Sequence, residues 1–104
     1  MGIFDMLFGG NNNTADLKSL INEGAFLVDV RTPGEFADGH VKGSVNIPLD
    51  NITKEIAKFK DKKSVIVFCR SGNRSGMAKS LLEQQGIPNV VNGGTWQHVA
   101  QFVQ

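Results

Sequence analysis

The stretch that most constrains this chain is Ser64-Val-Ile-Val-Phe68, which runs directly into Cys69-Arg-Ser-Gly-Asn-Arg-Ser75. Its β-branched and aromatic residues form an uninterrupted apolar run, as in a strand covered on both faces. A helix with Met77, Ala78, Leu81 and Leu82 facing inward is expected from about Ser75 to Gln85, with Gly86 as its stop. A buried strand followed at once by a helix is the building unit of a parallel sheet.

The rest of the chain repeats the alternation. Thr14 is placed to cap a first helix with Leu17, Leu20 and Ile21 on its apolar side and Gly24 at its end. Ala25-Phe-Leu-Val-Asp-Val30 reads as a second buried strand. Thr32-Pro-Gly-Glu35 has the form of a capping box, with Pro33 at the first helical position. A brief strand is expected at Ser44-Val-Asn-Ile47. A helix capped by Asp50 follows, carrying Ile52, Ile56 and Phe59. Asn89-Val-Val-Asn92 is the last strand, Gly93-Gly94 a turn, and Thr95 the cap of a final helix with Trp96, Val99 and Phe102. The expected fold is α/β, with a mainly parallel sheet and helices on both faces.

The 104 residues fit one domain, and 40% hydrophobic content supplies one core. Residues 1–13 read as a separate piece. Ile3, Phe4, Leu7 and Phe8 have helical spacing, and Gly9-Gly-Asn-Asn-Asn13 forms a polar break. This apolar arm is expected to pack on the domain or on a partner chain, where it would mediate a dimer. The domain itself is expected over residues 14–104. A net charge of +1 gives no reason to expect a nucleic-acid partner. No segment approaches the ~18 apolar residues of a membrane span, so the expected compartment is the cytoplasm.

There is one cysteine, so no disulfide forms within the chain and no zinc site rests on cysteines. A lone cysteine is commonly just a small buried apolar residue. Three features of the surroundings argue otherwise. Ligands of open parallel sheets bind beyond the carboxyl ends of the strands, so the Cys69 sulfur is expected to face a crevice there. Gly72 lets the loop curl and turn successive N–H groups inward, and the helix that follows adds its own N-terminal donors. Arg70 and Arg74 add positive charge. Each feature favours thiolate over thiol, and such surroundings lower a thiol from its usual pKa of about 8.5. The same arrangement serves phosphatases, which have one residue more between cysteine and arginine. The tighter loop here suits a single sulfur atom better than a tetrahedral phosphate.

Four segments, in this order, resemble the rhodanese family: Val28-Asp-Val-Arg-Thr-Pro-Gly-Glu-Phe36, Gly39-His-Val-Lys-Gly-Ser-Val-Asn-Ile-Pro48, Cys69-Arg-Ser-Gly-Asn-Arg-Ser75 and Asn92-Gly-Gly-Thr-Trp96. The resemblance covers roughly residues 14 to 104. It implies a rhodanese-like three-layer domain of four to five strands. Asn11-Asn-Asn13 stands where many members have a first short strand, and asparagine disfavours strands.

The resemblance also implies a sulfurtransferase in which Cys69 takes sulfane sulfur from a small anionic donor such as thiosulfate. Cys69 then carries it as a persulfide on the loop Arg70, Ser71, Gly72, Asn73, Arg74 and Ser75, and passes it to cyanide or a thiol, including a protein thiol. No cofactor and no metal are implied. Asp29 and Arg31 take a supporting role near the base of the site. Arg70 is favoured over Arg74 for contact with the donor, since Asp29 or Glu35 is placed to pin Arg74. His40 is expected to shape its loop, and Trp96 to be core or pocket wall. Two other functions stay open on sequence grounds: a cysteine-dependent phosphatase or arsenate reductase, and a non-enzymatic binding module.

Overall fold

A computed structural model describes residues 14–104. Helix α1 (Thr14–Asn22) leads to strand β1 (Phe26–Asp29), helix α2 (Pro33–Asp38) and strand β2 (Val45–Asn46). Two 3-10 segments, Leu49–Asn51 and Thr53–Phe59, connect to β3 (Val65–Cys69). Helix α3 (Asn73–Gln84), strand β4 (Val90–Thr95) and helix α4 (Trp96–Ala100) complete the domain. The expected arm, any dimer it would mediate, the place of a further strand at Asn11–Asn13 and the capping side chain of Thr14 lie outside the described residues.

The sheet has the order β2-β1-β3-β4, and every pairing is parallel. Central β3 is buried at all five positions, as its apolar run predicts. Alternation along it divides the core in two. Val65, Val67 and Cys69 face a cluster with Val28, Ala78 and Leu82, covered by α3 and the 3-10 segments. Ile66 and Phe68 face Leu17 and Val99, covered by α1 and α4. Each fully buried Val, Ile or Phe contributes roughly 1.5–3 kcal/mol. Helices therefore cover both faces, as expected. No helix among the described residues is long and apolar enough to cross a membrane.

Capping follows the sequence closely at two places. The Thr32 hydroxyl accepts the Glu35 N–H, and the Glu35 carboxylate accepts the Thr32 N–H. Thr95 caps α4 by accepting the N–H of His98.

Four local expectations need correction. Asp50 caps nothing; it lies inside a 3-10 turn, and the segment beyond Ile52 is also 3-10, kinked at Glu55. Burial of Ile52 and Phe59 sets this path, and tertiary packing overrides the preference for an α-helix. Helix α3 starts at Asn73, two residues before the expected Ser75. Its inward stripe is Ser75, Ala78 and Leu82, so Met77 points outward and is 58% exposed. Gly93-Gly94 is not a turn after β4 but a bulge within it. Val67 pairs with Asn92 and Phe68 with Gly94, which leaves Gly93 as the extra residue. A Cβ on Gly93 would come within 2.7 Å of Val99 and 3.0 Å of Ile66, so the core closes tightly there.

Candidate active site

Cys69 ends β3 with its side chain on the face covered by α3. Gly72, at φ +98°, turns the chain so that α3 begins at the next residue. The first N–H groups of any helix lack partners within it. Here the sulfur takes one of them: the Ser75 N–H lies 3.4 Å from Sγ, and the Gly72 N–H lies 3.0 Å away. The Ser75 hydroxyl stands 3.4 Å from the same atom. Two amides and a hydroxyl thus converge on one sulfur at the positive end of a helix.

The sulfur does not face the expected crevice. Cys69 is 0% exposed and its flank belongs to the apolar core. The short loop folds back far enough for its own N–H groups to take the sulfur as acceptor, and this closes the loop over it. Burial pushes the Cys69 thiol up. The Ser75 hydroxyl and the N–H groups of Ser75, Ser71 and Gly72 together outweigh burial, and the thiol lies below its ordinary value. The expected direction holds, although it comes from hydrogen bonds to a closed loop.

The arginines differ. Arg70 is exposed on the loop. Arg74 is pinned: Nη1 donates to Glu35 Oε1 at 2.8 Å and Nη2 to Oε2 at 3.1 Å. Of the two carboxylates weighed for it, Glu35 is the partner. This fork ties the start of α3 to the capping box of α2. Its hydrogen bonds raise Arg74 further, and the charge of Cys69 adds to that rise.

Asp29 and Arg31 form a buried pair, 0% and 4% exposed, with Nη2 to Oδ2 at 2.7 Å. Arg31 also donates to Gly39 O at 2.7 Å and lies 4.8 Å from the Trp96 ring centre. The described hydrogen bonds of this pair therefore hold the Gly39 loop, not the 70–75 loop. His40 stacks on Phe36 at 3.8 Å, and its Nδ1 lies 2.8 Å from Phe36 O, which fits a shaping role. Trp96 packs against the α4-side core. Among the described residues, no group of three or more His, Cys, Asp or Glu is placed to hold a metal ion.

One neighbour of the site escapes the sequence reading. Asn92 accepts from the Ser75 hydroxyl at 2.7 Å and donates to Gly72 O at 3.2 Å. The sequence holds two hints: a polar residue in a buried strand, and its place at the head of the segment Asn92-Gly-Gly-Thr-Trp96.

The Glu35–Arg74 fork has a pH signature. The Arg74 guanidinium and the Thr32 N–H lower Glu35 from 4.5 to about 2. A carboxylate lowered in the folded state stabilises fully above its unfolded value, and the effect fades as pH falls through the folded value. Glu35→Gln is expected to cost about 1 kcal/mol at pH 7, a figure kept small because both groups are part-exposed. Urea unfolding should show that difference constant above about 5.5 and shrinking steadily below the ordinary carboxylate range. A difference independent of pH would mean that the fork contributes no charge interaction.

Comparisons with known proteins identify the family. Residues 13–95 match the family model of the rhodanese-like domain. The thiosulfate sulfurtransferase PspE of Escherichia coli is 37% identical over 75 residues, covering 70% of this chain and 72% of that protein. A sulfurtransferase of Allochromatium vinosum is 37% identical over 70 residues, covering 67% of this chain and 65% of its own length. A solved rhodanese with anions from E. coli superposes with a TM-score of 0.68 at 35% identity, over 74% of this chain and 93% of that one. The chain therefore belongs to the rhodanese-like domain family, as an enzyme of the sulfurtransferase type.

Proposed function

We propose that this protein moves sulfane sulfur from a small anionic donor such as thiosulfate to a thiophilic acceptor through a persulfide on Cys69. The observation that carries the proposal is the convergence of the Gly72 and Ser75 N–H groups, at 3.0 and 3.4 Å, on a single sulfur. In the first step the Cys69 thiolate attacks the outer sulfur of thiosulfate. A new S–S bond forms, the donor's S–S bond breaks, and sulfite leaves with its electron pair. In the second step cyanide or a thiolate attacks the outer sulfur of the persulfide. Thiocyanate or a new persulfide leaves, and the Cys69 thiolate returns. Neither step transfers a proton to or from carbon, and neither needs a metal or organic cofactor.

The loop's N–H groups face negative charge in every state of this cycle, which is how preorganised donors lower a barrier. A persulfide adds an S–S bond of about 2.05 Å, so the 70–75 loop moves outward to take the second sulfur. Arg70, exposed and unlike Arg74 not forked to Glu35, is the residue we assign to drawing in the anionic donor. The chain's single cysteine gives no resolving thiol, so the acceptor comes from another molecule. A reduced thiol of this kind suits the cytoplasm, where we place the protein. A phosphatase reading is the weaker one. It needs an acid to protonate a leaving group, and the adjacent carboxylate, Glu35, stays ionised against Arg74.

Incubation with thiosulfate is expected to raise the intact mass by one sulfur atom, and cyanide is expected to remove the gain. A mass that stays unchanged in freshly reduced protein would sink the proposal and favour a binding module instead.

A further inference from the structure

Asn92 lies opposite Val67 in the β3–β4 register, and its side chain points at the first turn of α3. Its carboxamide is hydrogen-bonded at both ends. Oδ1 accepts the Gly94 N–H at 2.9 Å and the Ser75 hydroxyl at 2.7 Å. Nδ2 donates to Gly72 O at 3.2 Å. The two loop residues it grips, Gly72 and Ser75, both aim their N–H groups at Sγ, at 3.0 and 3.4 Å. The Gly93 bulge follows Asn92 directly and carries the strand on to Gly94, whose N–H closes back on Oδ1. One side chain therefore clamps a rigid strand to both sides of the loop.

We infer that Asn92 is a positioning residue for Cys69, holding the Gly72 and Ser75 N–H groups aimed at the sulfur. This rests on the reading of Cys69 as nucleophile and adds to it the part of the molecule that keeps the loop aligned. Two opposing effects follow from removing the clamp. Gly72 O keeps the Gly76 N–H at 3.0 Å but loses its tie to β4, so the loop slackens against the sheet and both N–H bonds to sulfur weaken. The Ser75 hydroxyl, with one proton to give, loses its shortest acceptor and is left with Gly72 O at 3.1 Å and Sγ at 3.4 Å. Gly72 O is the nearer of these two acceptors, so the hydroxyl gains little at Sγ while both amides lose alignment, and the thiolate is destabilised on balance. The charged groups on the elements that form the site are Arg74 of α3 with its partner Glu35 of α2, and Arg70 on the loop, while Asp29 of β1 and Arg31 pair with each other toward the Gly39 loop; the substitutions below leave all of them in place.

The test uses the full chain and reads Cys69 directly. With one cysteine and no tyrosine, the far-ultraviolet absorbance that grows with pH as a thiol ionises belongs to Cys69 alone. Asn92→Ala and Asn92→Ser are both uncharged. The serine variant keeps a group able to accept the Gly94 N–H while withdrawing from Gly72 and Ser75, so it serves if the alanine variant does not fold. In the folded variant the titration midpoint is expected to rise by about one unit, a roughly ten-fold loss of thiolate below the midpoint. Val91→Ala, which truncates the same strand without touching the clamp, is expected to leave the midpoint where it is. An unchanged or lowered midpoint in a folded Asn92 variant overturns the inference, as does an equal rise in Val91→Ala. The titration needs no sulfur donor. A raised midpoint in a protein that makes no thiocyanate sinks the sulfur-transfer reading and leaves this one standing; an unmoved midpoint in an active protein does the reverse.

Discussion

Replacing Cys69 by alanine is expected to reduce thiocyanate formation from thiosulfate and cyanide to the rate seen without protein. The chain has no other thiol, so no second nucleophile of this kind remains. Losing the covalent step removes more than a binding contact, and losses of three or more orders of magnitude, ~10³-fold, are usual when a nucleophile is deleted. The fold is expected to survive. The substitution removes one buried sulfur atom and leaves the Gly72 and Ser75 N–H groups without their acceptor. Such a loss costs about 1–3 kcal/mol, against a typical total of about 5–15 kcal/mol. Circular dichroism should therefore stay close to wild type. Thiocyanate formation persisting in a folded Cys69→Ala protein would remove Cys69 from the mechanism. Loss of the dichroism signal would show that the sulfur holds the fold and that its role is not confined to the site.

Much of this site is legible in the sequence because it is built from short-range rules. The run Ser64–Phe68 dictates a central strand, and its end dictates where Cys69 stands. Gly72 announces the turn, and Thr32 with Glu35 announces the cap of α2. What escapes depends on contacts between distant segments. Met77 points outward because α3 takes its phase from Ser75, which turns toward the sulfur. Gly93-Gly94 looks like a turn in sequence, yet the closeness of Val99 and Ile66 makes it a bulge in a continuing strand. Asn92 acquires meaning only once β4 is laid beside β3 and α3 is laid across both. Burial of the sulfur was invisible for a similar reason. It turns on whether the loop's donors reach Sγ, and residue types alone do not fix those distances.

The largest stability effect is expected at the buried pair on the other face of the sheet. Asp29 is fully buried, and the Arg31 side chain gives it Nε bonds of 2.9 and 3.0 Å and an Nη2 bond of 2.7 Å. Arg31→Met keeps much of the apolar length of the side chain and removes every one of those donors. Only the Arg31 backbone N–H, at 3.0 Å, is left to the carboxylate. An uncompensated buried charge costs about 3–5 kcal/mol, a large share of the stability of a domain this size. The Gly39 carbonyl also loses its donor and the Trp96 ring its guanidinium, so the Gly39 loop loosens with it. Urea unfolding followed by the single tryptophan should show a clear drop in midpoint. Adding Asp29→Asn to Arg31→Met removes the stranded charge, so the double variant is expected to recover part of the loss. Because the bonds of this pair run to Gly39 and not to the 70–75 loop, turnover per folded molecule is expected to change by less than about three-fold, under 1 kcal/mol of barrier. A stable Arg31→Met protein with turnover nearly abolished would invert this assignment and make the pair part of the sulfur site.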